Sequence, residues 1–205
     1  EHPGAVGPPP IGAEPSPPKP SKKTAELASQ QSFKKIIDEQ GPAAFAKAVR
    51  DHKGLLIMDT TWRDAHQSLL ATRVRTRDLY QCADATASAL DGAYSLEMWG
   101  GATFDVSLRF LRDCPWKRLE LLREKVPNIP FQMLLRGANA VGYTSYADNV
   151  VQEFTTEARK SGIDIFRVFD SLNYVDNLKF GIDCVRNADG VVEGTICSSG
   201  DVSDP

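Results

Sequence analysis

No stretch of this sequence approaches the roughly 18 consecutive apolar residues that a membrane-spanning helix requires, so no such helix is expected within it. Charge of one sign is not in excess either. The 24 basic and 27 acidic residues are mixed along the chain and leave a net charge of -3. Without a basic face or an acidic block, neither a nucleic-acid partner nor a charged disordered tail is expected. Cysteine is sparse: Cys82, Cys114, Cys184 and Cys197 lie far apart, with no Cys-x-x-Cys pair. A disulfide framework or structural zinc site needs closer, patterned spacing, so all four read as reduced thiols in or near a core. The sequence has 3 histidines and no His-x-His. No charged-then-apolar leader follows Glu1, so the natural start of the protein is expected upstream and the compartment is not legible from this end.

What is present begins with proline. Eight of the 13 prolines fall within residues 1–20, as in Pro8-Pro9-Pro10 and Pro15-Ser16-Pro17-Pro18, with few large apolar residues among them. Such a stretch cannot bury enough surface to offset its ordering entropy, and residues 1–32 read as an extended, semi-rigid linker between domains. From Phe33 the pattern changes. Phe33, Ile36 and Ile37 recur at helical spacing. Pro42 opens a second helix whose stripe is Phe45, Ala48 and Val49, and Gly54 is placed to end it.

The 205 residues suit about one domain, and after the lead-in helices the chain alternates. Short apolar runs at 55–58, 94–98, 131–135, 164–169 and 190–196 read as strands. Helical patterns separate them at 77–90, at 105–112 with 116–125, at 146–160 and at 175–187. Alternation of this kind calls for a parallel sheet with crossover helices, either doubly wound or closed into a barrel. An open sheet could stop at five strands, whereas a barrel needs eight.

Polar residues follow every strand: Asp59 to Gln67 after the first, Trp99 to Asp105 after the second, Arg136 to Asn139, Asp170 to Asn173, and Cys197 to Asp201. In a parallel α/β barrel these ends converge on one face, where active sites lie. The plainer account is helix capping, for which Asp105, Asp170 and Asn173 each qualify, but five loaded loops together favour a site. Asp64 is the best metal candidate, a hard oxygen ligand suited to a divalent cation that polarises a carbonyl. His66, two residues on, reads as a hydrogen-bonding structural residue rather than a co-ligand. Arg63 and Arg136 offer planar forks for a carboxylate or a developing enolate charge.

These residues carry a resemblance. Asp59 to Ser68, read as DTTWRDAHQS, is similar to the opening motif of biotin-dependent carboxyltransferases that act on 2-oxo acids. Glu97 to Asp105 and Leu135-Arg136-Gly137 resemble the next two motifs of that family. FQMLLRGANAVGY at 131–143 and FRVFDSLN at 166–173 look specifically like its pyruvate carboxylase branch, and the match runs from about Phe33 to Pro205. The resemblance implies a TIM-type (α/β)8 barrel, incomplete here with about five of eight strands, over residues 33–205. It implies carboxyl transfer from carboxybiotin to pyruvate, giving oxaloacetate through a metal-stabilised enolate. Position by position, Asp64 looks like a metal ligand, with manganese, zinc and magnesium all open. Gln67 and Arg136 look like the pyruvate contacts. Arg63, Asp105 and Tyr143 look like the cluster that receives the biotin ring.

The same resemblance implies that a carbamylated Lys, two His and a proton-shuttling Thr lie beyond Pro205. It further implies that biotin is carried, and ATP used, by domains outside this segment of a homotetramer. The setting would be the mitochondrial matrix in a eukaryote and the cytoplasm in a bacterium. Residues 1–205 alone are therefore expected neither to hold metal tightly nor to turn over, and an unclosed barrel is expected to aggregate through its edges. Two other readings stay open on sequence. One is a carboxyltransferase subunit of an oxaloacetate decarboxylase or a transcarboxylase, or a related lyase or condensing barrel. The other is a truncated product that keeps only interaction surface.

Overall fold

A computed structural model of the chain describes residues 32–200. The linker expected over residues 1–32 therefore falls almost wholly outside the described residues. Ser32, the first described residue, accepts the Lys35 N–H at 3.2 Å and so caps helix α1, Phe33–Asp51. The two lead-in helices expected from sequence are the arms of α1, which kinks where Gly41 takes φ +82° and Pro42 restarts the helix. The second arm ends at Asp51, slightly ahead of Gly54.

Among the described residues, five parallel strands form one sheet in chain order. They are β1 (Met58–Asp59), β2 (Ser95–Trp99), β3 (Phe131–Leu135), β4 (Ile165–Val168) and β5 (Val191–Gly194). A doubly wound sheet reverses direction at a switch point, whereas a barrel adds each strand beside the last. The strictly sequential order is the barrel pattern. A short helix α2 (His66–Leu70) and the longer α3 (Thr76–Ala89) join β1 to β2. Helices α4 (Gly101–Val106) and α5 (Pro115–Lys125) join β2 to β3. Helix α6 (Asp148–Ser161) lies between β3 and β4, and α7 (Val175–Asn187) between β4 and β5. None of the described helices is long and apolar enough to cross a membrane.

Alternation along the strands separates two faces. Leu96, Met98, Phe131, Met133, Leu135, Phe166 and Val168 point outward and are buried under the helices by Leu79, Leu119, Leu122, Val151, Ala158, Leu178 and Val185. Fully buried side chains of this size contribute about 1.5–3 kcal/mol each. The opposite face carries Met58, Glu97, Gln132, Arg167 and Glu193, which contact one another. Helix α1 closes the end where the strands begin: Ile37 and Phe45 pack on Ile165 and Val191, with Phe33 and Tyr94 beside them. Asp164, wholly buried at that end, accepts from Arg123 (2.7 Å), Arg159 (3.2 Å) and the Phe131 N–H (2.9 Å), and Lys34 lies 3.4 Å away.

Three expectations need correction. The first strand, expected over 55–58, pairs only at Met58 and Asp59, and Leu55 and Ile57 are 85% and 61% exposed. This strand has a single neighbour among the described residues, and one bond, from the Tyr94 N–H to the Ile57 carbonyl, is all that continues its ladder upstream. The helix expected from Asp105 starts earlier, at Gly101, and runs into a π-helical turn at Ser107–Leu111, so Asp105 is no cap. Of the cysteines, Cys184 alone is buried; Cys82, on the outer side of α3, and Cys114 and Cys197, in the loops before α5 and after β5, are free thiols on the surface.

Candidate active site

The turn after β1 is built to display two charged groups. The Asp59 carboxylate accepts the Thr61 N–H (3.0 Å) and its hydroxyl (2.9 Å), and the Thr60 carbonyl takes the N–H groups of Arg63, Asp64 and Ala65. Residues Thr61–Ala65 thus wind as a single π-helical turn, a form that recurs at functional sites. Trp62 goes into the core, leaving Arg63 and Asp64 to project at the mouth of the strand. His66 donates from Nε2 to the Trp62 carbonyl at 2.6 Å and is buried. Burial holds its imidazole below the ordinary range, aided by the Arg118 and Arg63 charges and opposed by that carbonyl. His66 is the structural residue expected from sequence.

Arg63 is held on two sides. Its Nε donates to Glu97 Oε1 at 2.7 Å, Nη2 donates to the same oxygen, and Nη1 reaches Asp64 Oδ1 at 2.9 Å. Glu97 is wholly buried, while the Asp64 side chain is half exposed. Gln67 sits half-buried in the first turn of α2.

A second group forms beyond β2 and β3. Trp99, fully buried at the end of β2, stacks on Phe154 (5.8 Å between centroids) and meets Phe104 and Trp116 edge-on or tilted. This cluster seats α4, which carries Asp105, itself paired with Arg109 at 2.8 Å. A Cβ on Gly101 would lie 2.7 Å from the Val141 carbonyl oxygen, so only glycine lets the loop bearing Tyr143 come this close to α4. Arg136, at the end of β3, stands over the Tyr143 ring at 5.4 Å and donates to the Gly142 carbonyl at 3.4 Å.

Two adjoining cavities share Tyr143. One, of about 390 Å³, is lined by Asp105, Phe104, Leu108, Tyr143 and Tyr146. The other, of about 280 Å³, is lined by Arg136, Asn139, Tyr143, Phe169, Asp170 and Ser171. The structure therefore joins Asp105, Tyr143 and Arg136 in one group and Arg63 with Asp64 in another. Arg63, Asp64 and Gln67 line neither cavity.

Asp170 is occupied in closing the turn after β4. It accepts from the N–H groups of Tyr174 (3.0 Å) and Leu172 (2.9 Å) and from Asn177 (3.1 Å), contacts that hold its carboxyl below the usual range. Asn173 clasps the Cys197 backbone with both amide atoms. Neither position is the helix cap of the plainer account: α7 begins after Tyr174 with no side-chain cap, and Asn173 ties the loop after β4 to the loop after β5.

Sequence reasoning missed the inner-face charges Glu97, Arg167 and Glu193. Their signal was present: each is a lone ionisable residue in mid-strand, in SLEMW, IFRV and VVEG. For a metal, the donor set falls short among the described residues. Asp64 offers one carboxylate, and the described residues contain no group of three or more His, Cys, Asp or Glu able to hold an ion.

Comparison with known proteins gives consistent matches. The chain is 66% identical to the pyruvate carboxylase of Schizosaccharomyces pombe over 177 residues, covering 86% of this chain and 15% of that protein. It is 56% identical to the mitochondrial pyruvate carboxylase of Homo sapiens over 203 residues, covering 98% of this chain and 17% of that one. The chain thus spans less than a fifth of the length of these curated relatives. Among solved structures, the carboxyl transferase domain from Rhizobium etli pyruvate carboxylase with pyruvate and biocytin superposes with a TM-score of 0.81 at 50% identity, covering 86% of this chain and 30% of that one. The same domain with oxamate and biotin gives 0.82 at 51%, over 85% and 30%. No family model matches the chain.

Proposed function

The chain is a homologue of the pyruvate carboxylases over most of its length, aligned with part of their carboxyltransferase domain, and from that premise we propose that it helps move a carboxyl group from carboxybiotin to pyruvate. The observation that carries this reading is the meeting of Arg136, Tyr143 and Asp105 around two adjoining cavities at the ends of β2 and β3, in a chain half identical to a domain solved with pyruvate and biocytin.

Arg136 offers its guanidinium fork to the carboxylate of pyruvate, with Gln67 as the second contact. The N–C bond of carboxybiotin breaks to release carbon dioxide, the proton lost from the pyruvate methyl group ends on the freed biotin ring nitrogen, and the enolate carbon left behind forms the new C–C bond to that carbon dioxide. Arg63, Asp105 and Tyr143 receive the biotin ring, Tyr143 by the face it shows to both cavities. Asp64 is this chain's single contribution to a divalent site for manganese, zinc or magnesium whose other ligands lie in the rest of the barrel. ATP-dependent charging of biotin belongs to other domains of the same protein, joined to this one through residues 1–32, and the whole works as a homotetramer. Relatives named as mitochondrial support a mitochondrial setting.

The test is oxaloacetate formation by the full-length protein from pyruvate, bicarbonate and ATP. Arg136→Lys keeps the charge and loses the fork. Losing one charge-assisted bond of about 1.5–3 kcal/mol raises KM for pyruvate, or lowers kcat/KM, roughly 10- to 100-fold. An unaltered protein that makes no oxaloacetate overturns the proposed activity. An Arg136→Lys variant with ordinary kinetics removes Arg136 from the pyruvate site.

A further inference from the structure

The inner face of the sheet holds a chain of charges of alternating sign, and the chemistry just proposed uses only its outer end. Glu97, from the middle of β2, is the buried centre of it. Both Nε and Nη2 of Arg63 donate to its Oε1, and Arg167 Nη1 lies 2.9 Å from its Oε2. Arg167 is itself fixed from the far side, by Glu193 Oε1 at 2.7 Å and by Met58 Sδ at 2.7 Å. Glu193 is fixed in turn by the Tyr94 hydroxyl (3.0 Å) and the Gln132 amide (3.2 Å). These partners come from β1, β3, β4 and β5 and from Tyr94 just before β2, so Glu97 is anchored to the sheet and not to a loop.

Arg63, by contrast, stands on the turn after β1. Three of its nitrogens are engaged, two by Glu97 and the third by Asp64. Without Glu97 the guanidinium would be tied to Asp64 alone, a half-exposed neighbour on the same turn. We propose that Glu97 is a positioning residue. It fixes the Arg63 guanidinium and, through Nη1 of Arg63, the Asp64 carboxylate in the geometry in which the β1 mouth engages its substrates. This inference rests on the carboxyl-transfer reading above. The competing account is that Glu97 only balances two buried cations, in which case its removal costs stability and nothing else.

The two accounts separate in the full-length protein, assayed for oxaloacetate formation and for bicarbonate-dependent ATP cleavage. Glu97→Gln keeps the shape and removes the charge. Displacement of a catalytic group by about 1 Å costs on the order of 100-fold in rate. Glu97→Gln is therefore expected to lower kcat by about that factor, leave KM for pyruvate within about 3-fold because Arg136 is untouched, and preserve ATP cleavage. Because the single variant leaves Arg63 and Arg167 without their counter-charge, it can fail to fold. The double variant Glu97→Gln with Arg167→Met restores charge balance, and its melting temperature is expected to recover while its kcat stays low. Recovery of kcat together with melting temperature overturns the proposal, as does an ordinary kcat in Glu97→Gln itself. An unaltered protein that makes no oxaloacetate overturns the carboxyl-transfer reading, a result visible before any variant is made, and the inference falls with it.

Discussion

Replacing Gly101 with alanine places a methyl group 2.7 Å from the Val141 carbonyl oxygen, about 0.7 Å short of the 3.4 Å at which ordinary contact begins. The obstacle is backbone, so no side chain can rotate away. The Val141 loop is also poorly able to retreat. Ala140 already occupies φ +46°, the Ala140 carbonyl takes the Arg136 N–H at 2.9 Å, and the Gly142 N–H is held by the Asn139 carbonyl at 2.7 Å. A shift of the loop is thus passed to Tyr143 and, through the Gly142 carbonyl, to Arg136. Overpacking of this kind costs about 1–3 kcal/mol, offset by up to about 1 kcal/mol from the better helix propensity of alanine. A net loss of up to about 3 kcal/mol is expected. The larger consequence falls on rate: a displacement of this size at both cavities should lower kcat/KM roughly 10- to 100-fold. Steady-state oxaloacetate formation and urea unfolding of the full-length protein measure the two effects. A Gly101→Ala protein with kcat/KM within about 2-fold of the original would refute the claim that this approach positions Tyr143.

Two further outcomes follow from buried groups. Asp164→Asn leaves Arg123, Arg159 and Lys34 facing a neutral amide at a site with no solvent access, and should cost about 3–5 kcal/mol in urea unfolding; a loss below about 1 kcal/mol would mean the hub is not an ionic anchor. Tyr94 is held above the ordinary phenol range by burial first and by the Glu193 charge and hydrogen bond next. Its folded form keeps the proton that the unfolded chain releases near pH 10, so its contribution is full below that value and declines as pH rises through it. Tyr94→Phe should flatten the alkaline fall of the unfolding midpoint, and an unchanged slope assigns that fall to other groups.

Most of the architecture was legible because the strands are short apolar runs and the helices amphipathic: 131–135 and 175–187 were read to the residue. The first strand was overread because Leu55 to Ile57 have strand composition, and composition does not reveal that a neighbour is lacking on one side. Asp64, Arg63, Arg136, Asp105 and Tyr143 could be named from sequence. Their division into two groups could not, because it depends on the Trp99 cluster and on the Gly101 approach, which are contacts between distant segments. Glu97, Arg167 and Glu193 were legible as oddities in apolar strands, but their mutual pairing required the register, which sets Arg167 opposite Glu193. His66 was read correctly, since a histidine four residues after Trp62 on a helical path reaches its carbonyl.

The sequential strand order bears on how such a chain folds as it is made. Each strand pairs with the one synthesised just before it, so the sheet can lengthen from β1 onward while the ribosome is still working, at about 5–20 residues per second. Helix α1 breaks that order. It is the first described element to emerge, yet it rests on Ile165 and Val191, at the starts of β4 and β5. Until those strands exist, Ile37 and Phe45 have only Tyr94 and their own helix to pack on, and much of their apolar surface must wait exposed or shielded by a chaperone. A ribosome-stalling series should find α1 protease-sensitive at every length short of Val191 and protected soon after it clears the exit tunnel.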